Sequence, residues 1–480
     1  MYSKFGQFID GKWQQAEKNE TYEVINPATE EVIGKASKAS STDVQKALKS
    51  AEKGLEIWKN IAPWERSNII RKIANLIRER KEKIAHWLCL EVGKPLAEGV
   101  GEAAGAADIF EWNAEETKRI YGQTIQSRFP DTRVHVYYQP VGVVAALIPW
   151  NFPTLLAARK ISTALAAGCS VICKPDVITP GSVMELVNIC KDAGVPDGVV
   201  NMLSGDPAQL SNELLESDIV KKVSITGSTR VGKLILKKAA DKVQRVTMEL
   251  SGHSPFIVFD DVNINKVADM AIALKFRNNG QVCVSPNRFY IQENKKDEFI
   301  GAFIERIKKL KIGNGLDKDV ILGPLTTAKR LEEVEKLVET TKKEGAKVLL
   351  GGKRPSDFNK GYFYEPTVFD DVKDDFTIIK EEPFGPLAPI LTFKTFDEVI
   401  ERANNNDLGL CSYLYTNSMS QAHRGSELLE SGCVAVNTAA VALAEAPFGG
   451  IKQTGYGREG GSGAIKDYLN VKYTHMGLKI

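Results

Sequence analysis

The chain has 480 residues, too many for one ordinary core, so two or three domains are expected. Its 43% hydrophobic and 26% charged residues suit a soluble globular protein, and 63 Lys+Arg against 61 Asp+Glu leave a net charge of +2, which calls for no nucleic-acid or membrane partner. The start, Met1-Tyr2-Ser3-Lys4, opens no apolar signal core, and the apolar run 141–150 holds a proline and falls far short of the ~20 residues of a membrane span.

In chain order, residues 40–101 are helical by pattern. Ser40 and Asp43 can form a capping box, and Val44, Leu48, Ala51, Leu55 and Trp58 recur at helical spacing. After Pro63 a second helix has Ile69, Ile70, Ile73, Leu76 and Ile77 on its buried side. Residues 134–138 read as a strand. From Val143 to Val258 short apolar strands (143–148, 170–173, 199–203, 222–226, 247–250 and 256–259) alternate with helices such as 231–240. That alternation is the mark of an α/β fold with a parallel sheet covered on both faces, where ligands sit beyond the carboxyl ends of the strands. A second α/β region spans 266–441, with basic runs such as 306–311 as exposed helix faces. The tail 468–473 is again strand-like and, with 134–138, is expected to pair with other strands, in this subunit or another.

Four features sit where chemistry is expected. Cys283 ends Phe276-Arg277-Asn278-Asn279-Gly280-Gln281-Val282-Cys283 and is either an attacking thiolate or a small buried residue. Glu249 stands at the end of a strand as a general base or as a cap for the loop that follows. Asn151, after a strand and between two prolines, is an oxyanion donor or a polar turn residue. Thr226-Gly227-Ser228-Thr229-Arg230-Val231-Gly232, at a strand-to-helix junction, lets backbone N–H groups approach a phosphate. The seven cysteines are scattered and odd in number, none in a zinc-ribbon pair. They point to a reducing cytoplasm, with neither a disulfide framework nor a metal site.

Together these motifs resemble the aldehyde dehydrogenase superfamily, over nearly the whole chain from Phe8 to Tyr468. Lys174-Pro175, Glu382-Pro383-Phe384-Gly385-Pro386, Pro447-Phe448-Gly449-Gly450 and Gly455-Tyr456-Gly457-Arg458-Glu459 extend the likeness. The resemblance implies a Rossmann-type parallel-sheet cofactor domain (1–122 and 142–254) and an α/β catalytic domain (255–440). It also implies a small β oligomerisation element (123–141 and 460–480) and a homodimer or homotetramer. The implied reaction is NAD(P)-dependent oxidation of an aldehyde to its acid through a Cys283 thiohemiacetal and thioester. Asn151 would hold the oxyanion and Glu249 would activate the hydrolytic water, while Lys160 and Glu459 match positions proposed to relay the proton outward. Members that pass the acyl group to coenzyme A commonly lack the glutamate, so Glu249 argues for hydrolysis.

Cofactor contacts are implied for Trp150, Lys174, Asp176, Val177, Gly227, Ser228, Glu382 and Phe384. Many strict NAD users carry a glutamate where this chain has Val177, so acceptance of NADP is expected, although Asp176 beside it can restore the repulsion. The chain is most similar to the succinate-semialdehyde dehydrogenase branch. There, Arg159 and Arg277 match positions that hold the distal carboxylate, and a guanidinium fork suits a carboxylate. Two departures are the apolar Val441-Ala442-Leu443, where that branch has a serine, and Ser285, where some relatives have a second cysteine. An apolar mouth also suits an aromatic or other aliphatic aldehyde, of the benzaldehyde, lactaldehyde or 2-oxoglutaric semialdehyde type.

Overall fold

The computed structural model describes residues 2–479. Two hairpins come first, β1 (Gln7–Ile9) with β2 (Lys12–Gln14) and β3 (Thr21–Ile25) with β4 (Val32–Ser37). Four helices follow: α1 (Ser41–Trp58), α2 (Pro63–Glu79), α3 (Lys81–Val92) and α4 (Leu96–Glu116). The Ser40 hydroxyl accepts the Asp43 N–H and the Asp43 carboxylate accepts the Ser40 N–H, the reciprocal box expected from the sequence. Pro63 is the first residue of α2, where its missing N–H costs nothing.

After β5 (Gln123–Ile125) and β6 (Thr132–Pro140) the α/β alternation begins. It runs β7 (Val143–Leu147), α5 (Pro153–Ala167), β8 (Ser170–Lys174), α6 (Pro180–Ala193), β9 (Val200–Met202), α7 (Pro207–Glu216), β10 (Val220–Thr226), α8 (Thr229–Ala240) and β11 (Arg245–Glu249). The five strands are parallel in the order β11-β10-β7-β8-β9, and the β1–β2 hairpin extends the sheet antiparallel beyond β9. One face packs on α2 to α6, the other on α1, α7 and α8. The strand order reverses between β7 and β10, so a crevice opens there beyond their carboxyl ends.

The chain then crosses to a second sheet. Along this part run β12 (Ser254–Val258), α9 (Ile264–Lys275), β13 (Pro286–Gln292), α10 (Lys296–Ile307), α11 (Ala328–Lys343), β14 (Lys347–Leu350), β15 (Thr367–Asp370), β16 (Leu387–Phe393), the short β17 (Leu408–Gly409), which lies outside this sheet, β18 (Cys411–Tyr415) and β19 (Cys433–Val436). The order is β14-β15-β16-β13-β12-β18-β19. The strand expected at 256–259 thus begins this sheet rather than ending the first. Apolar pattern marks a strand but not its neighbours, and β12 pairs with β13 and β18. A short β20 (Ile451–Lys452) pairs with β17, and β21 (Leu469–Gly477) pairs along its length with β6 of the same chain. Val471, Tyr473 and Met476 of β21 are exposed. Among the described residues no helix is long and apolar enough to cross a membrane.

Candidate active site

The loop before Cys283 is bent sharply by two residues in the left-handed region, Asn278 (φ 47°) and Asn279 (φ 53°). Asparagine tolerates that conformation better than most residues, and hydrogen bonds on every side hold it here. The Asn278 N–H donates to Glu98 at 2.8 Å, its side chain donates to the carbonyls of Asn151 and Gln281, and Asn279 donates to Gly323 O. Gly280 (φ 75°) is required by a close approach, since a Cβ there would stand 2.2 Å from Gly385 O. The outcome is a rigid turn that presents Cys283 at the base of a cavity.

Asn151 sits on the opposite wall, in the turn between β7 and α5. Its carbonyl accepts from the Lys94 ammonium at 2.8 Å, and Lys94 also pairs with Glu102 at 2.6 Å, both side chains fully buried. Glu102 in turn accepts the Thr154 and Leu155 N–H groups at the start of α5. The Asn151 amide nitrogen lies 3.2 Å from Gln281 O, two residues before Cys283. Side-chain donor and thiol therefore share one rigid neighbourhood.

Glu249 closes the third side at the end of β11. It is 2% exposed, and neither carboxylate oxygen has a hydrogen-bond partner among the described residues. Burial, with the Glu459 carboxylate nearby, pushes its pKa up to about 7. Burial and the facing Glu249 push the Cys283 thiol well up, so the thiol is protonated at rest. Cys283, Glu249 and Asn151 line one cavity of about 230 Å³, together with Ser251, Arg330, Glu382 and Phe384.

That cavity opens into a wider cleft of about 820 Å³ at the β7/β10 switch point, and Trp150, Gly227 and Ser228 line both. Lys174 at the end of β8 and Asp176 line the wide cleft. The Lys174 ammonium is nearly buried yet makes no hydrogen bond or ion pair among the described residues. Ser228 caps α8, and a Cβ on Gly227 would meet nothing within 4 Å, so the backbone there faces open space. Phe384, itself at φ 43°, packs edge-on against Trp150 at 5.5 Å across the throat. Glu382 accepts the Gly252 N–H at 3.3 Å and is raised to about 7 by burial. Such a long apolar cleft, with a helix N-terminus at its middle, a cation at one end and a carboxylate at the other, fits an extended dinucleotide. Val177 departs from expectation: it is partly exposed on the turn after β8 and does not line the cleft.

The two arginines differ. Arg159 is buried on α5, its guanidinium donating to Glu459 O and Ala442 O, each at 3.1 Å, and stacking on Phe448. Much of its donor capacity is therefore taken by backbone. Arg277 is exposed, lies 4.6 Å over the Phe152 ring, and makes no ion pair or hydrogen bond among the described residues. Lys160 forms a buried ion pair with Glu459 and donates to Thr226 Oγ1 at 2.7 Å. Ser251, Arg330, Lys94 and Glu102 were not picked out from sequence. Ser251 directly follows the Glu249 strand, whereas Arg330, on the first turn of a surface helix, carries no sequence signal.

The sequence pattern described as "Aldehyde dehydrogenase family" matches residues 13–474. A glutarate-semialdehyde dehydrogenase of Pseudomonas putida is 44% identical over 97% of this chain and 96% of its own length. A succinate-semialdehyde dehydrogenase [NADP(+)] of Escherichia coli is 42% identical over 98% of this chain and 97% of its own. The solved structure of an E. coli NADP-dependent enzyme superposes with a TM-score of 0.97 at 41% identity, covering 100% of this chain and 99% of that one.

Proposed function

The chain belongs to the aldehyde dehydrogenase family, and from that premise we propose that it oxidises a short semialdehyde carrying a distal carboxylate to the dicarboxylic acid. The observation that carries this reading is the meeting of Cys283, Asn151 and an unpartnered Glu249 in one cavity beneath a dinucleotide-sized cleft.

Cys283 acts as the nucleophile. Its thiol proton leaves to solvent as cofactor and substrate fill the cavity and favour the thiolate, which adds to the aldehyde carbon. The Asn151 amide and the Cys283 backbone N–H hold the oxyanion of the thiohemiacetal. When bound, NAD or NADP supplies the two-electron acceptor that turns this adduct into a thioester. Lys174 and Asp176 would meet its adenosine end, Gly227 and Ser228 its pyrophosphate, and Trp150, Glu382 and Phe384 its nicotinamide half. Glu249 then takes a proton from water as the water oxygen adds to the thioester, and collapse frees the acid and the Cys283 thiolate.

A base must be ionised to work. With Glu249 near 7, kcat is expected to fall as pH drops through about 7 and to level off above it. A kcat flat from pH 5 to pH 8 in a stopped assay would count against Glu249.

The distal carboxylate pairs with Arg277, whose charge is unspent, whereas Arg159 spends donors on the Glu459 and Ala442 carbonyls. Succinic and glutaric semialdehydes are expected to outrun benzaldehyde and lactaldehyde when reduced cofactor is followed by absorbance. Arg277→Ala should raise KM for the carboxylated pair about ten- to hundred-fold, the worth of a charged hydrogen bond, and leave neutral aldehydes nearly unaffected. Neutral aldehydes winning the comparison would sink the carboxylate reading. The same panel run with NAD and NADP is expected to show both accepted, since Lys174 faces the cleft. The seven free cysteines suit a reducing cytoplasm. The exposed apolar side chains of β21 suit burial against a second copy in a homodimer or homotetramer. Sedimentation as a monomer at micromolar concentration would contradict that assembly.

A further inference from the structure

The turn that carries Cys283 is held from behind as well as from the cavity side. Tyr413 of β18 donates its hydroxyl to Val284 O at 2.9 Å, and the Ser285 N–H donates to Val282 O at 3.0 Å. Cys283 O lies against Gly252, where a Cβ would stand 2.4 Å away. The last link comes from a side chain with no assigned role. Ser285 Oγ accepts at 3.3 Å from the Lys275 ammonium, which also donates to Asn287 Oδ1 at 2.8 Å.

Lys275 ends α9, whose buried stripe runs Ile264, Val267, Ala268, Ala271, Lys275. At that spacing the position calls for an apolar residue. The lysine is wholly buried, and an ammonium away from water is costly unless it is paired. It makes no ion pair among the described residues. Glu382 is the charge that supports it, against burial, which lowers its pKa to about 7. His253, which faces both Lys275 and Arg288, is kept neutral by burial. The end of a helix favours a cation modestly, by less than the burial of one costs. Asn287 Nδ2 has no partner among the described residues, so the polar groups here do not form a closed network that would need a lysine to complete it.

We propose that Lys275 is a positioning residue for the reaction: through Ser285 and Asn287 it fixes the 282–285 turn so that the Cys283 sulfur and the Cys283 backbone N–H meet the aldehyde carbon and oxygen together. The proposal rests on Cys283 being the nucleophile. Lys275 does not line the cavity, so it acts only through the turn. Its two bonds use two of the three ammonium hydrogens and outlast the loss of one proton. Lys275 therefore adds no fall in rate above pH 7 to the profile set by Glu249.

The test compares Lys275→Met, Ser285→Ala and the double variant with the unaltered enzyme. It follows cofactor reduction in single turnovers, with NADP present and enzyme in increasing excess over succinic semialdehyde, which separates binding from chemistry. For Lys275→Met the maximal rate is expected to fall about ten- to hundred-fold, the scale of a reacting group slightly displaced, with the half-saturating concentration unchanged. Ser285→Ala should show a smaller loss of the same kind. The double variant should be no slower than Lys275→Met alone, because both changes break one link. If Lys275→Met fails to fold, Ser285→Ala carries the test, and an unchanged maximal rate there overturns the assignment. A folded Lys275→Met of wild-type maximal rate would do the same, whatever its melting temperature, as would losses that multiply in the double variant. Should Cys283→Ser still reduce cofactor, the nucleophile is misassigned and the positioning role falls with it. Should Cys283→Ser be inert while the Lys275 and Ser285 variants react normally, only the positioning role is wrong.

Discussion

The Glu249→Gln variant is expected to release one equivalent of reduced cofactor per subunit and then stall, with steady-state kcat lowered by about 10²- to 10⁴-fold, the usual worth of a positioned general base. Glutamine keeps the shape of the side chain but cannot take a proton from water. Glu249 anchors nothing in the structure: both its oxygens lack partners among the described residues. Its replacement should therefore leave the Cys283 loop, which is held through Asn278, Asn279 and Gly280, where it stands. Loss of the burst along with kcat would mean that Glu249 serves acylation first. Unimpaired turnover would mean that another group activates the water. Coenzyme A added to the stalled variant would restore turnover only if the thioester could be intercepted by a thiol, which makes product analysis a direct check on hydrolysis.

The second large effect is expected at Asn151. Asn151→Ala should lower kcat/KM by about 10²- to 10³-fold, the cost of losing one oxyanion donor, or ~3–4 kcal/mol of barrier. Here the burst itself should slow, in contrast to Glu249→Gln, because the amide acts on the thiohemiacetal. The backbone at 151 is fixed by Lys94 and Asn278 through the Asn151 carbonyl, which the substitution leaves in place. A stopped-flow burst of unchanged rate in the folded variant would show that the amide serves only as a link to Gln281.

Much of this could be read from the residues themselves. The capping box at Ser40 is local chemistry, and the alternation of short apolar strands with helices fixes an α/β fold before any contact is known. Cys283, Glu249 and Asn151 each stood after a strand or a glycine turn, where parallel sheets place function. What the pattern could not carry was partnership. Residues 256–258 look like one more strand of the first sheet, yet their neighbours are 30 to 160 positions away in β13 and β18. The same holds for β21, whose partner β6 lies more than 300 residues upstream. Arg159 and Arg277 are equal as letters. Only packing shows that one spends its donors on Glu459 and Ala442 carbonyls while the other keeps its charge free. Lys275 offered no signal either, because a lysine at a helix end reads as a solvent-facing residue until its burial and its bond to Asn287 are seen.

The most direct test of the central claim is intact-protein and peptide mass measurement on Glu249→Gln, quenched in acid seconds after mixing with succinic semialdehyde and NADP. One succinyl group per chain, on the peptide bearing Cys283 and absent from a Cys283→Ser control, is the predicted result. A burst of reduced cofactor without any mass added at Cys283 would contradict it.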